Sequence, residues 1–158
     1  MRIAQLAAAL GVIAALAAAP GPIYNVALPP GYRDWKLISV AHEKGKLDDL
    51  RAILGNDIAI KALRAGTYPL PDGAIIARVA WDYRPLAESE KAFGNHQAYV
   101  AGPPKNGLQF MVKDAKKYAS TGGWGYAQFK PGGEAAVACF ACHSIAKSRD
   151  YVFNRYAP

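Results

Sequence analysis

Ala74-Ile75-Ile76-Ala77-Arg78-Val79-Ala80-Trp81-Asp82-Tyr83-Arg84 carries the clearest structural signal in the chain. Ile75, Ala77, Val79, Trp81 and Tyr83 alternate with Ala74, Ile76, Arg78, Ala80 and Asp82, so the two sets fall on opposite sides of an extended backbone. The period predicts a strand. Upstream, Pro69, Pro71, Asp72 and Gly73 predict a turn. Before it, Asn56 or Asp57 caps a short helix carrying Ile58, Ile60, Ala62 and Leu63, with Lys61 and Arg64 in its last turn and Gly66 closing it. Leu47, Leu50, Ile53 and Leu54 are spaced as on a helix, but the run is short and ends at Gly55, so period alone leaves helix and strand open there. Residues 35–41 read as a strand. Downstream, 97–101 and 108–113 read as two strands joined through Gly102, Pro103, Pro104 and Gly107. Asp114 caps a short helix ending near Gly122 and Gly123, residues 124–130 resume strand character, a helix around 134–147 holds both cysteines, and 151–156 is a candidate final strand. Strands interleaved with short helices give an α+β domain with a mostly antiparallel sheet.

Composition bounds the function. The chain has 158 residues, 52% hydrophobic and 20% charged, which excludes a disordered chain. Fifteen Gly and eleven Pro argue against an all-helical bundle, and two Cys are too few for a disulfide scaffold. Nineteen Lys and Arg against twelve Asp and Glu give a net charge of +7, but the signs alternate, as at Lys44, Lys46, Asp48 and Asp49. No run of five like charges occurs, so no nucleic-acid partner is expected.

Residues 1–17 read as a secretory signal: Arg2 is followed by an apolar stretch, and Ala15 and Ala17 satisfy the small-x-small rule for cleavage after Ala17, with Ala19 as a later site. The alternative is an uncleaved membrane anchor. Pro20, Pro22, Pro29 and Pro30 make 20–32 an extended lead-in, and 33–158 is expected to form one domain in the periplasm.

The chemistry lies in Cys139-Phe140-Ala141-Cys142-His143, a c-type haem attachment pattern. On a helical turn two Cys three apart point the same way, so both sulfurs reach the vinyl groups of one porphyrin, and the adjacent His143 reaches the iron as proximal ligand. One covalently attached haem c is therefore expected, and attachment needs the exported compartment that the leader predicts. A redox dithiol would sit after an early strand rather than near the C-terminus. A zinc site would need a fourth ligand, for which only His42 or His96 offers imidazole. For the sixth iron position Met111 is the only mature thioether, placed among apolar residues as core packing would be, while His42 in a polar turn and His96 in a polar stretch read as solvated. A five-coordinate iron open to small diatomic or nitrogenous ligands follows. The aromatics Trp81, Tyr83, Tyr99, Phe110, Trp124, Tyr126 and Phe129 are expected to pack the core or the porphyrin.

Phe110-Met111-Val112-Lys113-Asp114, Tyr118, Gly122-Gly123-Trp124-Gly125-Tyr126, Cys139 to His143 and Arg149-Asp150-Tyr151-Val152-Phe153-Asn154-Arg155-Tyr156 together resemble the cytochrome P-460 family, which includes the cytochromes c′-β. Tyr32-Arg33-Asp34-Trp35 and Pro71-Asp72-Gly73 extend the similarity over most of the mature chain. The resemblance implies an antiparallel sheet with flanking helices, a homodimer and a five-coordinate haem, and it turns residues 48–54 into a strand. It carries over Cys139 and Cys142 as attachment residues and His143 as the metal ligand. In hydroxylamine-oxidising members a Lys on the strand after the Asp-Gly turn crosslinks to the porphyrin. Here that position is Arg78, whose guanidinium stays protonated and is a poor nucleophile. Arg78 is thus expected either to meet a haem propionate or the ligand pocket, or to face solvent from an edge strand. Three functions compete: binding or turnover of NO or a related nitrogen species, electron transfer to a redox partner protein with Met111 as axial ligand, and hydroxylamine oxidation.

Overall fold

The computed structural model describes residues 26–105, 107–130, 133–135 and 139–157, so the expected leader and most of the lead-in lie outside the described residues. A 3-10 turn, Tyr32–Asp34, opens the domain. Then follow β1 (Lys36–Glu43), β2 (Asp49–Gly55), α1 (Asp57–Arg64), β3 (Ile75–Leu86), α2 (Ala87–Phe93), β4 (Gln97–Ala101), β5 (Leu108–Lys113), β6 (Trp124–Lys130), β7 (Gly133–Ala135) and α3 (Cys139–His143). All described strand pairs are antiparallel, in the order β1-β2-β3-β5-β6-β7, with β4 on the far end of β3. The α+β class and the mostly antiparallel sheet are as read from the sequence.

The Ala74–Arg84 stretch is the centre of this sheet. Ile53, Arg78, Gln109 and Gln128 form one cross-strand row, and Ile76, Met111 and Tyr126 the next. Opposed residues of antiparallel strands share a face. On this face Ile53, Ile76, Met111 and Tyr126 join a core with Ile60 and Leu63 of α1, Trp124 and Val152. On the other face Tyr118 and Val26 close over Ala127, with Val112 and Phe129 beside them, and Tyr32 meets Phe110 edge-on at 5.4 Å. Each of the large side chains Trp124, Tyr118 and Phe110, all fully buried, contributes roughly 1.5–3 kcal/mol.

Local chemistry explains most boundaries. Asn56 caps α1: its Oδ1 accepts from the Ala59 N–H at 3.0 Å and from the Ile75 N–H at 3.1 Å, and its Nδ2 donates to the Gly73 carbonyl at 2.8 Å. The cap therefore also fixes where β3 begins. Residues 49–55 form a strand, because the pairing of β2 with both β1 and β3 overrides the helical spacing of its leucines. β4 and β5 both pair with β3, and the interruption between them is bridged by the Lys105 N–H, which donates to the Ala80 carbonyl at 2.6 Å.

Three expected elements need correction. The helix expected over 134–147 begins only at Cys139, since Gly133–Ala135 pair with β6 as an edge strand. After His143 the chain tightens into a 3-10 turn, Ser144–Arg149. Residues 151–156 form no strand; the tail crosses to the β1 side, where the Ala157 N–H donates to the Ile38 carbonyl at 2.8 Å. The helix expected after Asp114 is a single turn plus a 3-10 segment, Ala119–Thr121, although Asp114 Oδ1 does accept from the N–H groups of Lys116 and Lys117. Helix α2 had no counterpart in the reading, although it carries Glu88 and Glu90 in its first turn, Lys91 in its last and Gly94 at φ 75° as its stop.

Candidate functional site

Helix α3 is one turn and a little more, and it places Cys139, Cys142 and His143 together beside the sheet. Cys139 is half-buried against the core, whereas Cys142 is exposed; both are free thiols. Burial, with the neighbouring Cys142, pushes the Cys139 thiol up from its ordinary value. The His143 ring lies 5.1 Å from the Tyr126 ring and 4.9 Å from that of Phe153. Its Nδ1 is 2.7 Å from the Tyr151 carbonyl oxygen. A carbonyl only accepts, so Nδ1 carries the proton and Nε2 presents a lone pair. Burial holds the imidazole pKa below its usual value, against the smaller opposite pull of the Tyr151 carbonyl, and so favours the neutral form that ligates metals.

Cys139 and His143 line a cavity of about 710 Å³ between the sheet, α3 and the tail residues Phe153 and Asn154. Ile53, Ile76 and Met111 supply apolar wall; Arg78, Gln109, Gln128 and Tyr126 supply polar wall. Arg78 does not face solvent. Its Nη2 donates to Asp49 Oδ2 at 2.7 Å, and Asp49, fully buried, also takes Arg51 at 2.6 Å, which in turn pairs with Glu43. The second terminal nitrogen of Arg78, Nη1, is buried with no partner among the described residues, and so is the hydroxyl of Tyr126, a residue 6% exposed. Burial and the nearby Arg51 lower the Arg78 pKa, an effect opposed by Asp49 and Glu43. The guanidinium stays protonated all the same, because its ordinary value is so high, and burial raises the pKa of the Tyr126 phenol, which keeps its proton.

The other sequence candidates separate. Met111 lies in the cavity wall and in the core at once. His42 is not in a turn: β1 runs on to Glu43 because His42 and Glu43 pair with Leu50 and Asp49, and the exposed His42 stands at the cavity rim with Nε2 3.2 Å from Asp48 Oδ1. His96 is exposed and meets Glu90 of α2 at 2.6 Å. Tyr99 is exposed rather than packed. Among the described residues no group of three or more His, Cys, Asp or Glu side chains is placed to hold a metal ion, so the four-ligand zinc arrangement is not found.

Of the polar wall, sequence singles out Arg78 but not Gln109, Gln128 or the Tyr126 hydroxyl. The signal was a lone polar side chain inside each apolar strand: Arg78 in β3, Gln109 in β5 and Gln128 in β6 stand in one cross-strand row. Asp49 and Arg51 were hidden because residues 48–54 had no settled period.

The residues present fit a haem. The volume lies within the roughly 300–1,000 Å³ of preformed cofactor sites, and its walls are mostly apolar with a few convergent donors. The Arg78 Nη1 and Tyr126 hydroxyl ask for acceptors that the described residues do not supply, since a buried donor left unpaired costs about 1–3 kcal/mol. His143 presents the ligating tautomer on the same wall as Cys139. No curated protein matches the chain. The family model for cytochrome P460 matches residues 29–154, from the end of the lead-in through α3 to the tail that closes the cavity. The chain thus belongs to the cytochrome P460 family.

Proposed function

We propose that this protein is an exported mono-haem c-type cytochrome whose iron, held by His143, binds or converts NO or a related small nitrogen species. Membership of the family brings the haem cofactor. Cys139 and Cys142 would carry its two thioether bonds, with the signal over 1–17 providing export to the periplasm. When bound, the haem supplies an iron with an open coordination position and one-electron redox chemistry.

The chain's own residues do the rest. His143 is oriented by its Nδ1–H bond to the Tyr151 carbonyl, which leaves Nε2 to the metal. Ile53, Ile76 and Met111 would give the porphyrin an apolar wall. Arg78, braced by Asp49, offers Nη1 to a propionate or to a bound ligand. The observation that carries the reading is His143: the residue after Cys-Phe-Ala-Cys lines a cavity, with its proton already committed elsewhere. The family reading also gives a homodimer, and the electron-carrier alternative a redox partner protein.

The test is the ferrous absorption spectrum of chain matured in a host that attaches haem c, with and without CO and NO. A covalent haem whose spectrum changes with both gases supports the proposal. A low-spin ferrous protein that takes up neither gas overturns the open site, and a colourless protein overturns the whole reading.

A second reading has one observation in its favour. Met111 lines the cavity, so an electron carrier with a Met111 axial bond predicts a red ferric charge-transfer band that Met111→Ala removes. Hydroxylamine oxidation through a Lys crosslink has less behind it, because no Lys is among the described residues lining the cavity and Arg78 occupies the strand position. A haem peptide released by trypsin with the mass of a single peptide goes against that chemistry.

A further inference from the structure

A second buried ion pair lies behind the site. Lys113 ends β5 and Asp150 follows the 3-10 turn after α3; each side chain is 5% exposed, and Nζ is 2.6 Å from Asp150 Oδ1. Lys113 Nζ also donates to the Gly122 carbonyl at 3.2 Å and sits 5.0 Å over the Trp124 ring. Asp150 Oδ2 accepts from the Leu70 N–H at 2.8 Å, so both carboxylate oxygens are engaged.

Stability alone gives little reason for such a pair. Desolvating two charges offsets their attraction, and apolar residues of similar volume often serve as well. The backbone next to the pair supplies another reason. Asp150 and Tyr151 stand at φ 53° and 65°, two successive non-glycine residues in the left-handed region. Each is strained and persists only where its surroundings over-determine it. Here the surroundings are the Lys113 and Leu70 bonds on Asp150, the Tyr151 N–H donated to the Ala146 carbonyl at 2.9 Å, and the Tyr151 ring seated on Gly122, where a Cβ would overlap it. The product of this reversal is the Tyr151 carbonyl 2.7 Å from His143 Nδ1.

We propose that Lys113 and Asp150 are positioning residues for the iron ligand: they lock the left-handed reversal at 150–151, so that the Tyr151 carbonyl holds the His143 proton and sets how strongly the imidazole donates to the haem iron. The proposal rests on the reading of His143 as that ligand. A hydrogen bond from Nδ1–H raises the basicity of Nε2, and a more basic ligand favours ferric over ferrous iron. Loosening the reversal weakens the donor and moves the reduction potential upward. A pair that merely anchors the tail would affect melting and nothing else.

The experiment compares wild type with the double variant Lys113→Gln/Asp150→Asn, which removes both charges together and keeps an amide oxygen for the Leu70 N–H. In haem-loaded protein the expected results are a reduction potential shifted to more positive values and an iron–histidine stretching band shifted to lower frequency. In haem-free protein, ¹⁵N spectra of the His143 ring should move from a single Nδ1–H tautomer toward a mixture, a readout that needs no haem. Asn56→Ala, which weakens the α1–β3 junction, is the control: it should lower the melting temperature while leaving tautomer and potential unchanged. If the double variant does not fold, Asp150→Glu, which keeps both charges but displaces the carboxylate, carries the same expectations. A folded variant with wild-type tautomer and potential overturns the positioning role alone. Wild-type chain that takes up no haem overturns the reading of His143 as ligand, and this proposal with it.

Discussion

Burial separates the two cysteines of the motif before any haem arrives. Cys139 is half-buried and its thiol is pushed above the ordinary 9.0, first by desolvation and then by Cys142; Cys142 is exposed. Alkylation proceeds through the thiolate, and a raised pKa leaves less thiolate at any pH below it. In reduced, haem-free protein Cys142 should therefore react with iodoacetamide ahead of Cys139 at pH 8, and the Cys139 rate should still be climbing above pH 9. Fragment-ion mass spectrometry of the tryptic peptide resolves the two sites, and equal rates would contradict this account. Arg78 is the other residue whose surroundings decide its role. Asp49 is fully buried between Arg78 and Arg51, so Arg78→Met leaves the carboxylate with one guanidinium instead of two. The expected loss is about 1–3 kcal/mol in urea unfolding of the haem-free chain. Arg78→Lys should recover only part of it, because a point charge replaces a planar fork.

At the scale of elements, the joints between secondary structures matter more than the structures themselves. Asn56 ties the start of α1 to the start of β3 through three hydrogen bonds, so Asn56→Ala should cost about 1–2 kcal/mol, read as a lower melting temperature. Gly125 stands mid-β6, where a Cβ would overlap the Tyr118 ring closing the face away from the cavity. Gly125→Ala should destabilise by about 1–3 kcal/mol through overpacking, and a variant melting like wild type would show that Tyr118 can move aside. The cap, the long β3, β6 and the cysteine motif were all legible because each is a local pattern: a capping residue, a period of two, a fixed spacing. What local pattern could not show was pairing. The edge hydrogen bonds of β6 draw Gly133–Ala135 out of the expected helix, and β1 and β3 draw residues 49–55 out of helical spacing. The polar row of Arg78, Gln109 and Gln128 exists only once the register of three strands is known.

Over the whole molecule, stability should be uneven in a way that follows the cavity. β3 is held along both edges, by β2 on one and by β5 and β4 on the other, and its Ala77, Val79 and Ala80 are buried. The tail after α3 is joined differently. The Tyr151 N–H reaches Ala146, the Val152 N–H reaches Arg149, the Ala157 N–H reaches Ile38, and Arg64 Nε donates to the Tyr156 hydroxyl at 2.7 Å. Between tail and sheet lies the cavity of about 710 Å³, so Phe153 and Asn154 face the cavity, while Val152 reaches the core. Local opening is easiest where few apolar contacts must break. In haem-free protein the amides of Tyr151, Val152 and Ala157 should exchange with deuterium well before those of Ala77 and Val79, which should open only with global unfolding. Haem fixed at Cys139 and His143 would join tail to sheet through the filled cavity, so loading should slow the tail amides far more than those of β3. Hydrogen exchange followed by NMR on both forms checks this. Tail amides as protected as β3 without haem would mean that the tail closes on the sheet unaided, and equal slowing of both regions would mean that the cofactor stabilises the fold globally rather than through the cavity it fills.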